Sequence, residues 1–417
     1  MHAIEKILAK AAGKDHVTTG EIVNCKVDLA GINDLYLQTI RSFYEMGGKK
    51  VFDPGKIVIF LDHYAPASTI MQADNQKQFR EFAWEQGIDK LMDVDQGVCH
   101  QVLADKGLVY PGMVLVVTDS HTTTHGAFGA FGTGVGATDL ATIMITGHLW
   151  FRVPEIVRIN LEGELPKGVY AKDIILKVIG TLGADYAVYK AVEFTGPVLK
   201  QLSVSERMAL CNMTTEMGAK TSYIQPDEIT LAYLKDRVKG DYEIFHTDPG
   251  YQYAAEHTFD VSDLKPQVAA PHSVDNVHDI TEYIGRPVQQ AFLGTCTGGR
   301  VQDLAVAAQI LKGKKVHPRT RFIVVPASKA VFLEAMEKGY IQTLVEAGAT
   351  FVTPGCAACL GTHQGMLASG ETCITASSRN FPGRMGHTKA EIFIGSPAAV
   401  AAAALEGKIV DPAKYLD

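Results

Sequence analysis

Two hydrophobic rhythms alternate along the chain. Residues 56–61 and 114–118 are short, nearly unbroken apolar runs, the pattern of a strand buried on both faces of a parallel sheet. The same reading predicts strands at 156–161, 190–195, 289–293, 322–326, 349–352, 373–377 and 391–394. Residues 21–28 alternate with period two and predict a half-exposed strand. Apolar residues at helical spacing predict helices over 74–87, 171–180, 203–218, 227–239, 301–312, 328–338, 341–347 and 397–406, and helices on either side of strand 21–28 within residues 1–50. Residues 240–275 are polar and irregular and read as a linker. This βαβα order predicts an α/β fold of mostly parallel sheets covered by helices, divided at 1–152, 153–272 and 273–417.

Composition narrows the classes. The 417 residues are 47% hydrophobic and 20% charged with a net charge of −7, which gives no basic surface for nucleic acid or an anionic membrane. The N-terminal stretch lacks the apolar core of a signal peptide. The Ala-rich run at 396–405 is too short to span a bilayer. Seven scattered cysteines form no disulfide framework and suggest a reducing compartment, so the expected location is the cytoplasm.

The chemistry concentrates at strand ends. Cys356 and Cys359 lie three residues apart in a turn tightened by Pro354, Gly355 and Gly361. Such a turn makes a redox disulfide, half of a zinc site or part of an iron–sulfur site. Cys296, in Gly294-Thr295-Cys296-Thr297, follows a predicted strand of the same unit and offers a third sulfur. Three thiolates without a fourth ligand suit a cubane with one open iron better than a closed zinc site. Cys25, Cys99, Cys211 and Cys373 read as small buried apolar residues. Asp62-His63 and Asp119-Ser120-His121 end two predicted strands, where α/β sheets bind ligands, and His100 lies between them. A carboxylate beside an imidazole fixes its tautomer and raises its basicity. Glu216 alone reads as a helix-end residue. Arg379 and Arg384 share a loop and match the geometry of substrate carboxylates. The Gly-rich run 122–139 fits neither common nucleotide motif and reads as close backbone packing, with amides available to an anion.

Taken together, these pieces resemble the aconitase superfamily: Asp62-His63, Tyr110-Pro111-Gly112, Thr118 to Thr122, the Gly-rich run to Asp139, Asn212-Met213 with Glu216, Gly294 to Thr297, Cys356 to Gly361 and Arg379 to Arg384. They run in the family's order across nearly the whole chain. The length resembles the short bacterial and archaeal large subunits of the 3-isopropylmalate dehydratase type, with homoaconitase, 2,3-dimethylmalate dehydratase and maleate or citraconate hydratase as relatives.

The resemblance implies three α/β/α domains around a [4Fe–4S] cluster held by Cys296, Cys356 and Cys359 with one open iron. It implies a hydro-lyase that reversibly dehydrates or isomerises a 2- or 3-hydroxy di- or tricarboxylic acid, first among them 2-isopropylmalate to 3-isopropylmalate through isopropylmaleate. By motif, His63, His100 and His121 are the site histidines, held by Asp62, Asp119 and Glu216. One of them protonates the departing hydroxyl, and Ser120, Arg379 and Arg384 bind carboxylates. The family's base, a serine alkoxide on a swivelling fourth domain, is expected on a separate small subunit. Gly298 and Ser378 stand where the family has asparagine, and Ala357-Ala358 fill the cysteine turn. Small residues there are expected to retune the cluster or enlarge the pocket. The segment 31–38 also departs from the substrate-side motif, so the differences bear on the substrate more than on the reaction. A cluster-based sensor or binding protein is the competing class; it would need neither the acid–histidine pairs nor the arginines.

Overall fold

In the computed structural model, which describes residues 1–416, the strands form three main sheets. The first is five-stranded and parallel, in the order Leu91–Met92, Ile57–Phe60, Leu29–Asn33, Val114–Val117, Phe131–Gly134. The second is parallel, in the order Thr221–Ile224, Ala191–Thr195, Ile156–Glu162, Ala255–Asp260. The third is seven-stranded: Val277–Asp279, Gln267–Ala269, Glu391–Gly395, Thr372–Thr375, Gln290–Leu293, Arg321–Val324, Thr350–Phe351. Only its first two strands run antiparallel to their neighbours. Helices cover the sheets, as the alternating pattern predicts.

The central strands Ile57–Phe60, Val114–Val117, Gln290–Leu293 and Thr372–Thr375 are buried along their whole length. This is why they read as continuous apolar runs. Two sheets reverse their strand order beside a central strand. The chain winds outward from Leu29–Asn33 through Ile57–Phe60, then returns to its other side with Val114–Val117. It winds outward from Gln290–Leu293 through Arg321–Val324, then returns with Thr372–Thr375. Ligands bind at the carboxyl ends of strands at such reversals, and the acid–histidine and cysteine residues follow these strands.

The structure corrects the sequence reading in three places. A second strand lies between the one predicted over 21–28 and the helix that follows it, Gln38–Glu45. Ile22–Lys26 pairs antiparallel with His148–Arg152 in a separate ribbon, and Leu29–Asn33 is the middle strand of the first sheet. That strand is short and interrupted by Gly31, where a Cβ would lie 3.0 Å from the Phe60 ring and 3.1 Å from Val117 methyls. Residues 240–275 are not a plain linker, because Ala255–Asp260 and Gln267–Ala269 are strands within them. Ala255–Asp260 alternates half-buried and exposed positions as an edge strand, so its outward residues are polar. Helix 203–218 ends at Met213 and tightens into a 3₁₀ turn, Thr214–Met217, closed by Gly218 at φ 80°. The Ala-rich segment is the helix Pro397–Glu406, capped by Ser396 and buried against the third sheet. Among the described residues no helix is long and apolar enough to cross a membrane.

The Gly-rich run is close packing. It forms the 3₁₀ segment Ser120–Phe128 and the strand Phe131–Gly134. A Cβ on Gly126 would sit 2.1 Å from the Ser222 carbonyl oxygen, on a strand of the second sheet. We expect Gly126→Ala to cost about 1–3 kcal/mol through forced separation of the two units, read as a lower urea midpoint. Gly136→Ala, whose nearest added contact is 3.7 Å away, serves as the control and should shift stability by less than about 0.5 kcal/mol.

Candidate active site and cluster-binding site

Asp119 is the hub of the site. It caps the 3₁₀ segment Ser120–Phe128, accepting the His121 amide on Oδ1 at 2.8 Å. His100 Nε2 lies 3.0 Å and His121 Nδ1 3.4 Å from the same oxygen, and His63 Nε2 lies 3.3 Å from Oδ2. Burial opposes ionisation of Asp119, but the three histidines override it and hold its carboxyl well below the usual range.

His63 Nδ1 is 2.8 Å from Asp62 Oδ1. Burial favours its neutral ring, yet Asp62 and Asp119 override this and raise its pKa well above the ordinary value. Asp62 Oδ2 accepts the Cys99 amide at 2.8 Å. His121 Nε2 lies 2.8 Å from Glu216 Oε1 and 3.0 Å from Ser378 Oγ. Arg379 donates from Nε to Glu216 Oε1 and from Nη2 to Ser120 Oγ, at 2.8 and 2.9 Å. Glu216 is therefore a member of the site and not a solvated helix end. Burial opposes its charge, and His121 and Arg379 hold its pKa below the ordinary value. Asp62, His63, His100, Asp119, Ser120, His121, Glu216 and Arg379 thus form one chain of hydrogen bonds and ion-pair contacts, the His63–Asp119 link being of the second kind.

The three sulfurs adjoin this chain. The Cys356 amide donates to the Asp62 carbonyl at 2.9 Å, and a Cβ on Gly355 would lie 2.7 Å from that oxygen. The cysteine turn is thus seated on the strand end that carries His63. Arg384 Nη2 approaches Cys359 Sγ at 3.8 Å, and Asn212 Nδ2 lies 3.4 Å from Cys296 Sγ. Sharing a proton with Cys356, and the nearby Arg384, holds Cys359 well below the ordinary thiol range. Burial and the Cys359 charge push Cys296 up to about 11. Ala357 sits in the turn at φ 50°, an uncommon conformation for a non-glycine residue.

The donor set can be tested against a single ion. Side-chain ligand atoms within 4.8 Å of one another occur at Cys99/His100/Asp119 and Asp34/Asp62/His63. Cys296, Cys356 and Cys359 do not converge that tightly. Three buried thiols with hydrogen-bond donors directed at two of their sulfurs fit a group larger than one ion.

Several residues at the site gave no sequence signal. Asp34 accepts the His63 and Tyr64 amides at 2.9 and 3.1 Å, and the His363 ring meets the His63 carbonyl at 2.8 Å. Asp34 follows the missed strand. Cys99 is buried, as expected, but its amide holds Asp62. Gly298 does not enlarge the pocket, because a Cβ there would lie 2.3 Å from the Ala376 methyl. A cleft of about 430 Å³ opens beside Ser120, with Tyr36, Thr118, Thr215 and Lys220 in its walls. Tyr36 belongs to the divergent segment 31–38.

The model of the aconitase family (aconitate hydratase) matches residues 5–287 and 281–407. The chain is 52% identical over 413 residues to the 3-isopropylmalate dehydratase large subunit 1 of Methanopyrus kandleri, covering 99% of both chains. It is 48% identical to the probable methanogen homoaconitase large subunit of Methanothermobacter thermautotrophicus, covering 99% of this chain and 97% of that one. The fold is similar to that of Thermococcus kodakaraensis aconitase X in its holo form, with a TM-score of 0.51, 14% identity and coverage of 90% of this chain and 89% of that one.

The charge network sets a pH dependence. The His63 pKa is raised above 6.5, so its stabilisation is complete below that pH and is lost as pH rises through the folded value. The Asp119 pKa is lowered from 3.8, so its contribution is present above that pH and is lost as pH falls through the folded value. We expect the stability of the chain, read as its urea midpoint, to be level between those limits and to fall on both sides. Each group contributes a slope of at most about 1.4 kcal/mol per pH unit. His63→Gln should lessen the alkaline fall, to which His121, also raised by Asp119 and Glu216, contributes, and leave the acid one.

Proposed function

Because the chain belongs to the aconitase family, we propose that it is the large, cluster-bearing subunit of a hydro-lyase that interconverts 2-isopropylmalate and 3-isopropylmalate through isopropylmaleate. The observation that carries this reading is the unbroken chain from Asp62 through Asp119 and Glu216 to Arg379, lying against three buried cysteines. A sensor would have no use for a chain of paired acids and histidines ending on an arginine. The homoaconitase reading has support from the relative at 48% identity.

In this proposal Cys296, Cys356 and Cys359 hold a [4Fe–4S] cluster, which when bound supplies a Lewis acid for the departing oxygen. Hydroxide is a poor leaving group and needs a proton. His63 is kept as imidazolium by Asp62 and Asp119, and its Nε2 proton, in the looser of the two contacts, is the one we assign to the leaving oxygen. Asp119 holds His100 and His121 in fixed tautomers. Ser120, Arg379 and Arg384 bind the substrate carboxylates. Relatives matched over nearly their full length are named large subunits, which supports a separate small subunit carrying the swivelling domain and the base.

The test is anaerobic reconstitution with iron and sulfide, followed by hydration of isopropylmaleate with and without the small subunit. We expect brown chain, turnover only in the two-subunit enzyme, and loss of colour in Cys359→Ser. A reconstituted two-subunit enzyme that turns over no hydroxyacid would overturn the reading. Arg379→Lys should lower kcat/KM roughly ten- to hundred-fold, because a point charge cannot serve Glu216 and Ser120 while gripping a carboxylate.

A further inference from the structure

We infer that Lys172 is a positioning residue for this site: its ammonium group pins the carbonyls of Ala376 and Ser377 and thereby sets Ser378 and Arg379 against His121, Ser120 and Glu216. Lys172 is the second residue of the helix Ala171–Leu182, beside the second sheet, and is 2% exposed. Its Nζ donates to the Ala376 carbonyl at 2.8 Å and the Ser377 carbonyl at 3.1 Å, and meets Met213 Sδ at 3.4 Å. Both carbonyls belong to the third unit, just past the strand Thr372–Thr375.

A buried lysine is uncommon unless paired, and among the described residues no carboxylate lies within ion-pair distance of this one. Burial pushes its pKa down to about 8, while Cys296 and Asp303 favour the charged form. Backbone satisfaction does not require it at Ala376, whose carbonyl already accepts Thr297 Oγ1 at 2.8 Å. What Lys172 adds is a fixed direction for the next residues. Ser378 Oγ then lies 3.0 Å from His121 Nε2, and Arg379 reaches Glu216 and Ser120.

The same helix end grips the third sheet a second time. Asp173 Oδ1 accepts the Gln267 amide at 2.8 Å, while its Oδ2 accepts the Tyr170 amide at 2.8 Å. One helical turn therefore references two strands of the cysteine-bearing sheet to the second unit, whose 3₁₀ turn Thr214–Met217 carries Glu216. Arg379 and Glu216 meet across this junction, so an error in its angle appears directly in their contact.

The test compares Lys172→Met, which keeps length and removes the donors, with Lys172→Arg, which keeps charge and donors. A cavity of about 110 Å³ beside Lys172, lined in part by Tyr170, Ser205, Thr297 and Asp303, gives the guanidinium room. Hydrogen exchange is measured on the peptide spanning 372–384, and KM and kcat for 3-isopropylmalate on the reconstituted two-subunit enzyme. In Lys172→Met we expect exchange at 377–380 and KM each to rise about ten-fold, with a smaller change in kcat, and Lys172→Arg to recover most of both. Wild-type exchange in that peptide together with wild-type KM would overturn the inference, even with a lowered melting temperature, because lost packing alone gives that result. If Lys172→Met does not fold, Lys172→Gln carries the test with the same two outcomes. The roles of Ser378 and Arg379 toward substrate rest on the proposed function, but the exchange measurement does not. A wild-type enzyme without turnover counts against that function, and unchanged exchange counts against Lys172.

Discussion

One half-buried carboxylate organises the molecule's polar interior. Asp119 gathers three imidazoles and a backbone amide from segments that ordinary packing would keep apart. Taking such a charge partly out of water is costly, so the arrangement relies on its partners. His63 arrives from one strand of the first sheet, His100 from the helix Cys99–Asp105, and His121 from the segment that Asp119 itself caps. Each histidine then reaches outward. His63 reaches Asp62, whose carbonyl seats the Cys356 amide, and His121 reaches Glu216 and Ser378. The correct placement of both the cysteine turn and the arginine loop therefore depends on this carboxylate.

Much of this was legible in the chain, for a physical reason. Strands buried on both faces must be continuously apolar, so the central strands and their carboxyl ends could be located, and with them Asp62, His63, Asp119, Cys296 and Arg379. The strand Leu29–Asn33 was not, because Gly31 is needed where Phe60 and Val117 crowd the backbone and so breaks the apolar run. Asp34 was lost with it. Ala255–Asp260 was hidden by the opposite circumstance: as an edge strand it shows water its polar side chains. Glu216 illustrates a further limit. Helical position alone reads as exposure, and only the third dimension supplies His121 and Arg379. Ser378 and Gly298 were legible as departures from a family pattern, but their meanings differ. Gly298 yields its space to Ala376, whereas Ser378 contacts His121.

The three sheets have unequal tasks. The first supplies the acid–histidine residues, the third supplies sulfur and the arginines, and the second contributes Glu216 and the helix that bears Lys172 and Asp173. Its direct chemical contribution is small, but it lies where the other two must be held in register. The close approach of Gly126 to Ser222 on one side and the lysine contact to Ala376 on the other are the corresponding joints.

The pairing of Gln267–Ala269 with Glu391–Gly395 joins neighbours in space that are separated in sequence by nearly the whole third unit. Until that closure occurs, Glu391–Gly395 lacks one of its two flanking strands. Closing so long a loop is entropically slow. A newly made chain therefore passes through an interval in which one edge of the third sheet is still unpaired. The order of folding, as much as the final geometry, thus decides when the third sheet is whole.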